Sequence, residues 1–339
     1  MTEAWRIEGG FGLEKLGLGP YEAGDPGPGE ARVRLTAWSL NYRDLLIVSG
    51  AYNPKQKLPL VPLSDAVGVV EAVGPGVTRV AVGDRVCPIF AQAWVDGPVG
   101  VDELRSSLGS PGDGVGLRAR CFPAASLVKP PAHLTDREAA TLPCAAVTAW
   151  NALFESGDLR PGQTVLVQGT GGVSSFALQL GVLGGARVIV TSSSRDKLEQ
   201  ASALGAWKTI DYRADPDWGK TARELTGGVG VDHVVEVGGA GTIDQSLRAV
   251  RPGGTVSVIG VLDGVTGSFP LTRVLMSAVR MQGVFVGSRG MFERMNAAIE
   301  AAALRPLLDD ADFGFADLPA ALARIESGAH QGKITLVEG

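Results

Sequence analysis

Hydrophobic and polar positions follow two regimes along this chain. Near the N-terminus they alternate with a period of two: Val33, Leu35 and Ala37 fall between Arg32, Arg34 and Thr36. That pattern predicts a half-buried strand over Ala31–Leu40, after the turn-forming run Asp25–Gly29. A second strand is predicted over Ala66–Val73, closed by Gly74–Pro75–Gly76, and another begins at Val82–Val86. Residues 91–116 carry Gly, Ser and Pro with weak periodicity and are expected to form an ordered loop or lobe near a site. Lys129–Pro130–Pro131 marks a boundary, followed by a helical segment, Asp136–Phe154, interrupted at Pro143. From Thr164 onward, short apolar runs alternate with helix-period segments. Strands are predicted at 164–168, 186–191, 207–212, 231–238, 255–260 and 280–287, and helices near 172–184, 195–204, 218–226 and 241–250. Connections this short imply right-handed βαβ units and a parallel sheet covered on both faces. A helix over Phe292–Ala303 and the final stretch Gly332–Val337 close the chain.

The first βα connection carries chemistry. Val165, Leu166 and Val167 end in Gln168–Gly169–Thr170–Gly171–Gly172–Val173, and an apolar-periodic segment follows from Phe176. Strand, glycine turn and helix in that order present backbone N–H groups and a helix N-terminus to a pyrophosphate. Gly169 would make the turn and Gly171 would let the backbone approach the phosphates, while Ser174 stands where a third glycine is usual. The second strand ends at Thr191, where an NAD-binding protein usually offers an acidic residue to the ribose. Here Ser192, Ser193, Ser194, Arg195 and Lys197 follow instead, hydroxyls and cations suited to a 2′-phosphate, so NADP(H) is favoured over NAD(H). A serine N-cap for the next helix accounts for part of the same pattern.

Composition narrows the class. At 339 residues two domains are expected, and 47 glycines suit an α/β protein with many tight turns. A formal charge of −5 without a basic cluster argues against nucleic acid or an anionic membrane as partner. No apolar run reaches spanning length, the N-terminus lacks a signal pattern, and three scattered cysteines make no disulfide framework; a cytoplasmic protein is expected.

Taken together, Pro62–Gly68 with Val69–Gly74, Gly83–Val86, Thr148–Trp150, Gly169–Val173 and Gly332–Lys333 resemble the medium-chain dehydrogenase/reductase superfamily over nearly the whole chain. The resemblance implies a GroES-like catalytic domain, residues 1–132 with a C-terminal return over 290–339, and a Rossmann domain over 133–289, with the active site in the cleft between them. It also implies a homodimer through the last Rossmann strand, Arg280–Gly287. Zinc enzymes of the superfamily use Cys, His and Cys as catalytic ligands. This chain has Asn41 and Ser64 at the first two positions and only Cys144 at the third, and residues 90–120 contain no cysteine for a structural zinc lobe. One thiolate does not hold Zn²⁺, so the chain resembles the zinc-free branch of quinone oxidoreductases and enoyl or alkenal reductases, and no metal is expected.

Without a Lewis acid, hydride transfer is easier to an acceptor that spreads charge, a quinone or an α,β-unsaturated carbonyl. The protein then aligns the partners, excludes water and donates hydrogen bonds to the developing oxyanion. Asn41–Asp44 and Ser49–Tyr52 match the zinc-free branch at its substrate cleft. Asn41, Tyr52 and Thr148 are the implied catalytic residues; Tyr42 could replace Tyr52, and either tyrosine could instead be a wall of the pocket. Asp44, Tyr212, Gly260, Phe285, Val286, Gly287 and Lys333 join the glycine turn and the serine run as implied cofactor contacts. The alternatives are a zinc-free dehydrogenase of ordinary alcohols or ketones and a non-catalytic NADPH-binding protein. His133, His233 and His330 show no ligand spacing.

Overall fold

The computed structural model describes residues 2–338, which form two compact units. One takes the N-terminal part to Val147 and resumes at Gly287; the other is the continuous segment Thr148–Val286. The division thus falls later than the Lys129–Pro131 boundary suggested by the sequence.

In the first unit a single strand, Glu30–Ser39, organises the sheet. Its first half pairs antiparallel with Ala119–Pro123, its last residues pair with the C-terminal strand Thr335–Val337, and Asp65–Val73 runs along its length. Inward positions of Glu30–Ser39 alternate as the sequence predicts, and Val33, Leu35 and Trp38 enter a core with Leu63, Phe122, Phe315 and Leu336. Trp38 stacks on Phe315 with centroids 4.4 Å apart and donates its indole N–H to Val115 O at 2.6 Å, so its polar edge is satisfied within that core. Ser39 lies opposite both Asp65 and Thr335. The end of one strand, the start of a second and the approach to a third therefore meet at one place. Residues 91–116 hold a short helix, Val101–Arg105, and are otherwise loop and isolated bridges.

The second unit is a six-stranded, wholly parallel sheet. Its spatial order is Lys208–Asp211, Arg187–Ser192, Thr164–Gln168, Val231–Glu236, Val250–Val258, Arg280–Gly283. Numbered along the chain this is 3-2-1-4-5-6, the doubly wound Rossmann order, with its topological switch between Thr164–Gln168 and Val231–Glu236. Apolar runs supply a layer of Leu166, Ile189, Ile210, Val234 and Val256, covered by Trp218 and Leu247 from the helices. The α/β class and the alternation of elements agree with the sequence reading. Two strand bounds differ by more than two residues. The fifth strand begins at Val250 rather than 255, because Val250 already pairs with Val231 before an irregularity in register. The sixth ends at Gly283 rather than 287: Val286 has φ +43, a left-handed conformation that a β-branched residue adopts only under constraint. The buried Asn151 amide donates to Val286 O at 2.8 Å and helps to hold it there.

The helical segment after Thr135 is not simply broken at Pro143. It runs Asp136–Ala139, then a widened π-type stretch Leu142–Ala146, a turn Val147–Trp150 and a second π-type stretch Asn151–Glu155. Widening leaves room for the proline ring where a regular i→i−4 bond would be missing.

His233 sits on the fourth strand, buried, with Nε2 3.1 Å from Gln163 Oε1 and Nδ1 without a partner among the described residues. Burial pushes its pKa down to about 4. A depressed histidine stabilises the fold fully above its unfolded pKa of ~6.5, and that contribution is lost as pH falls toward 4. Urea midpoints of the Rossmann unit are therefore expected to drop between pH 6.5 and 4, and His233→Asn to flatten that slope. An unchanged slope in the variant would assign the acid sensitivity elsewhere.

Candidate functional site

Within the β-rich unit, the place where three strands meet contains a buried ionic cluster. Asn41 ends the link from Glu30–Ser39 and is the N-cap of the helix Tyr42–Val48: its backbone N–H donates to Asp44 Oδ2 at 2.7 Å, and the Asp44 N–H donates to Asn41 O at 2.9 Å. The Asn41 amide donates to Asp65 Oδ2 at 2.9 Å, and its carbonyl Oδ1 accepts from Lys333 Nζ at 2.6 Å. Lys333 Nζ also donates to Leu40 O at 2.6 Å and lies 3.7 Å from Asp65 Oδ2. Ser64 donates to Asp65 Oδ1 at 3.2 Å. Asp44, Ser64 and Asp65 are fully buried and Lys333 is 2% exposed. Gly332, at φ +59 with no room for a side chain against the Leu307 backbone, fixes the approach of Lys333.

Burial raises the Asp65 pKa, with Lys333 pulling it back and the Asn41 and Ser64 bonds assisting. An uncompensated carboxylate here would be costly: removing one partner of a buried pair typically costs about 3–5 kcal/mol. Cys144 is buried beside the same charges, and desolvation pushes its thiol far above the ordinary range. Arg43 covers the outer side: it donates to Leu108 O at 3.0 Å and to Ser110 O at 3.4 Å, and its guanidinium lies 5.0 Å from the Tyr52 ring centroid and 4.6 Å from that of Phe90. Tyr52 and Tyr42 are 44% and 43% exposed, so both phenols are accessible.

These residues do not fit a zinc ion. A catalytic zinc needs three anionic or imidazole ligands with an open fourth position. Here an amide, a hydroxyl and a protonated thiol stand at the ligand positions, and an ammonium already sits on the Asn41 oxygen. Among the described residues no group of three His, Cys, Asp or Glu side chains could hold a metal ion.

Two of the residues the sequence offers as cofactor contacts are buried in this unit. Asp44 is enclosed and its Oδ2 accepts the Asn41 N–H, and the Lys333 ammonium donates to Leu40 O and Asn41 Oδ1 beside Asp65, so each is already engaged within its own unit. Asn41 has the same limitation: its amide donates to Asp65 and its Oδ1 is taken by Lys333. It orients the loop that carries Tyr42 and leads to Tyr52.

In the Rossmann unit, Gly169 turns at φ +70, its N–H bonded to Thr191 O at 2.7 Å, and Gly171 caps the helix Gly172–Leu183. A Cβ on either glycine would meet nothing within 4 Å, so the turn faces open space with Thr170 and Val173 partly exposed at its rim. Ser174 is tolerated in place of the third glycine because its hydroxyl turns inward to Gln168 O at 2.6 Å. This is a cradle into which a dinucleotide pyrophosphate fits. Ser192 is buried at the end of the second strand, with Ser193, Ser194 and Lys197 partly exposed beyond it. Arg195 is exposed and paired with Glu199 at 2.9 Å one helical turn on. Tyr212, 41% exposed, lies against this strand end through its N–H to Ser192 O at 3.2 Å. Gly260 lies against the Val237 backbone and Thr148 is buried near the start of this unit. Phe285 and Val286 follow the last strand, while Gly287 begins the returning part of the other unit.

The sequence reading missed the most connected polar group in this unit. Glu236 is fully buried; Oε1 accepts the Gly238 and Gly239 N–H groups, both at 2.9 Å, and the Thr242 hydroxyl at 2.5 Å. Its Oε2 accepts from Gln168 Nε2 at 2.7 Å and from the Ser246 hydroxyl. Gln168 Oε1 in turn accepts Val237 and Gly238 N–H, each at 3.1 Å. The available signal was a polar residue directly after each of the short apolar stretches Val165–Val167 and Val234–Val235.

Comparison with known proteins fits this geometry. Residues 27–132 match the alcohol dehydrogenase GroES-like domain, and residues 172–302 match the zinc-binding dehydrogenase family. A zinc-type alcohol dehydrogenase-like protein of Schizosaccharomyces pombe is 43% identical over 332 residues, 96% of each chain. A quinone oxidoreductase of Pseudomonas aeruginosa is 34% identical over 274 residues, 80% of this chain and 76% of that one. Among solved structures, an NAD-dependent alcohol dehydrogenase superposes with a TM-score of 0.90 at 33% identity, covering all of both chains. A mycobacterial protein complexed with NADPH superposes with a TM-score of 0.83 at 28% identity, over 99% of this chain and all of that one.

Burial pushes the Asp44 carboxyl up to about 6, and its Oδ1 has no hydrogen-bond partner among the described residues. A raised carboxyl favours the fold below its unfolded pKa and loses that contribution as pH rises through the folded value. Asp44→Asn keeps an acceptor for the Asn41 N–H and removes the buried charge. Its melting temperature is expected to exceed that of the wild type at pH 8 and to converge with it near pH 4; a lower melting temperature at pH 8 would mean the charge is compensated in the folded chain.

Proposed function

The chain belongs to the medium-chain dehydrogenase/reductase superfamily of oxidoreductases, and from that membership we propose that it is an NADPH-dependent reductase passing hydride to a quinone or an α,β-unsaturated carbonyl without catalytic zinc. The observation that carries this reading is the Lys333 ammonium held by Leu40, Asn41 and Asp65 beside the positions where zinc relatives keep their ligands. Two like charges do not share such a space, and the fixed cation makes a divalent ion unnecessary for holding the Asn41 loop.

Bound NADPH would supply the hydride. The Gly169–Val173 turn would take its pyrophosphate, and Ser192, Ser193, Ser194, Lys197 and Tyr212 would line the 2′-phosphate, with Arg195 within reach once it leaves Glu199. A conjugated acceptor takes hydride at its β-carbon and places the charge on oxygen. Tyr52, accessible and lying against the Arg43 guanidinium, is the proposed donor to that oxygen, with Thr148 a proposed contact on the nicotinamide side. Asn41 acts by orientation. A plain ketone concentrates more charge on one oxygen than these donors stabilise.

The decisive assay follows NADPH and NADH oxidation with a quinone, an enone and a simple ketone, with and without chelator. Turnover of the first two with NADPH, indifferent to chelator, is expected, with kcat about 10²-fold lower in Tyr52→Phe. Ketone turnover abolished by chelator would remove the zinc-free reading.

We further propose a homodimer. The edge strand Arg280–Gly283 pairs on one side only among the described residues, and the preceding helix Leu271–Met276 exposes Leu271, Leu275 and Met276 at 72%, 76% and 82%. Light scattering is expected to give twice the 35.1 kDa chain mass, and Leu275→Glu to return it toward one chain. A monomeric wild type would overturn this.

A further inference from the structure

Gln168 and Glu236 are the last residues of the two strands between which the Rossmann sheet reverses its order. Ligands of open α/β sheets lie in the crevice at that reversal, outside the carboxyl ends of the strands. The residue after Gln168 is the turning glycine, Gly169, and the residues after Glu236 form the loop Val237–Thr242 that leads into the helix Ile243–Ala249. One buried side-chain pair therefore governs both lips of the crevice.

Its chemistry is unusual for a buried carboxylate. No cation pairs with Glu236 among the described residues; its charge is met by N–H and O–H dipoles. Three of the donors have no choice of role: the Gly238 and Gly239 backbones reach Oε1 and the Gln168 amide reaches Oε2. Each carboxyl oxygen thus faces at least one donor whose role is fixed. The Gln168 amide is likewise oriented without ambiguity, since its other end accepts two backbone N–H groups. Because the Gly238 and Gly239 N–H groups are consumed in this way, they do not bind phosphate, which leaves the pyrophosphate to the Gly169–Val173 turn.

Resting on the dinucleotide reading above, we propose that Glu236 is a positioning residue for the cofactor: with Gln168 it locks the Val237–Thr242 loop to the end of the first strand and so presets the crevice that receives the dinucleotide. The lock is formed without ligand, so binding does not have to order these two segments, and the affinity of the site depends on a side chain buried beneath it.

The test uses the full-length chain and fluorescence titration with NADPH, beside hydrogen exchange of the cofactor-free protein. Glu236→Gln puts an amide against the Gln168 amide. It is expected to weaken NADPH binding at least about tenfold and to speed exchange at Gly238, Gly239 and the Gly169 turn. The double variant Glu236→Gln with Gln168→Glu restores donor-to-acceptor pairing across the two strands and is expected to recover most of the affinity and the protection. Binding of NADPH by Glu236→Gln within twofold of the wild type would overturn the proposal while leaving the dinucleotide reading intact. Failure of the wild type itself to bind NADPH or NADH would overturn both. Should Glu236→Gln not fold, Thr242→Val removes one donor and keeps the charge; a loss of about threefold is expected, and unchanged affinity would count against the lock.

Discussion

The β-rich unit depends on one buried charge interaction. Asp65 begins a strand that must pass through the core, and its carboxylate is fully enclosed. Lys333, brought alongside by the C-terminal strand, balances it, and Asn41 stands between them as acceptor from one and donor to the other. Each member has lost its water, so the arrangement is stable only as a set. Around it the geometry follows: Asn41 caps the helix Tyr42–Val48, that helix sets Arg43 against Tyr52 and Phe90, and Leu63, just ahead of Ser64, is held at φ +70. A metal centre can unite distant loops through shared ligands. In this chain an ammonium on a flexible stem draws three strand ends together, by hydrogen bonds to Leu40 and Asn41 and by its charge beside Asp65, which fixes a scaffold.

The Rossmann unit uses a different solution for its buried charge. Glu236 is neutralised by backbone N–H groups, hydroxyls and an amide. Dipoles of this kind are supplied by loops, and the loops become ordered in return. One unit therefore joins strands through an ion pair, and the other joins strand ends through a solvated-like shell built from protein.

Much of this architecture was legible in the residues. The alternation of strands and helices from Thr164 follows from short apolar runs separated by glycine-rich turns, because periodicity directly reports which faces are buried. The glycine turn and the departures at Asn41 and Ser64 could be read one residue at a time. What could not be read depends on partners far apart in the chain. Lys333 belongs with Asn41 and Asp65 only because Thr335–Val337 pairs with Glu30–Ser39, and no local pattern indicates that pairing. The burial of Asp44 and the use of its Oδ2 by the Asn41 N–H were equally hidden, since they depend on how the helix Tyr42–Val48 packs. Glu236 and Gln168 were overlooked for the same reason: each is an unremarkable polar residue at a strand end until the parallel register sets the two strands side by side. The early end of the last strand reflects the left-handed backbone at Val286, which hydrophobicity does not encode.

The discontinuity of the first unit has a consequence for synthesis. Its sheet needs Thr335–Val337, and its ionic cluster needs Lys333, yet the whole of Thr148–Val286 leaves the ribosome before either. The inserted unit has all its strands available first and can fold vectorially, while Asp65 must wait for its counter-charge until Lys333 emerges. Until Lys333 is made, the growing chain carries an unneutralised carboxylate in an unfinished sheet, so the β-rich unit closes after the unit inserted into it.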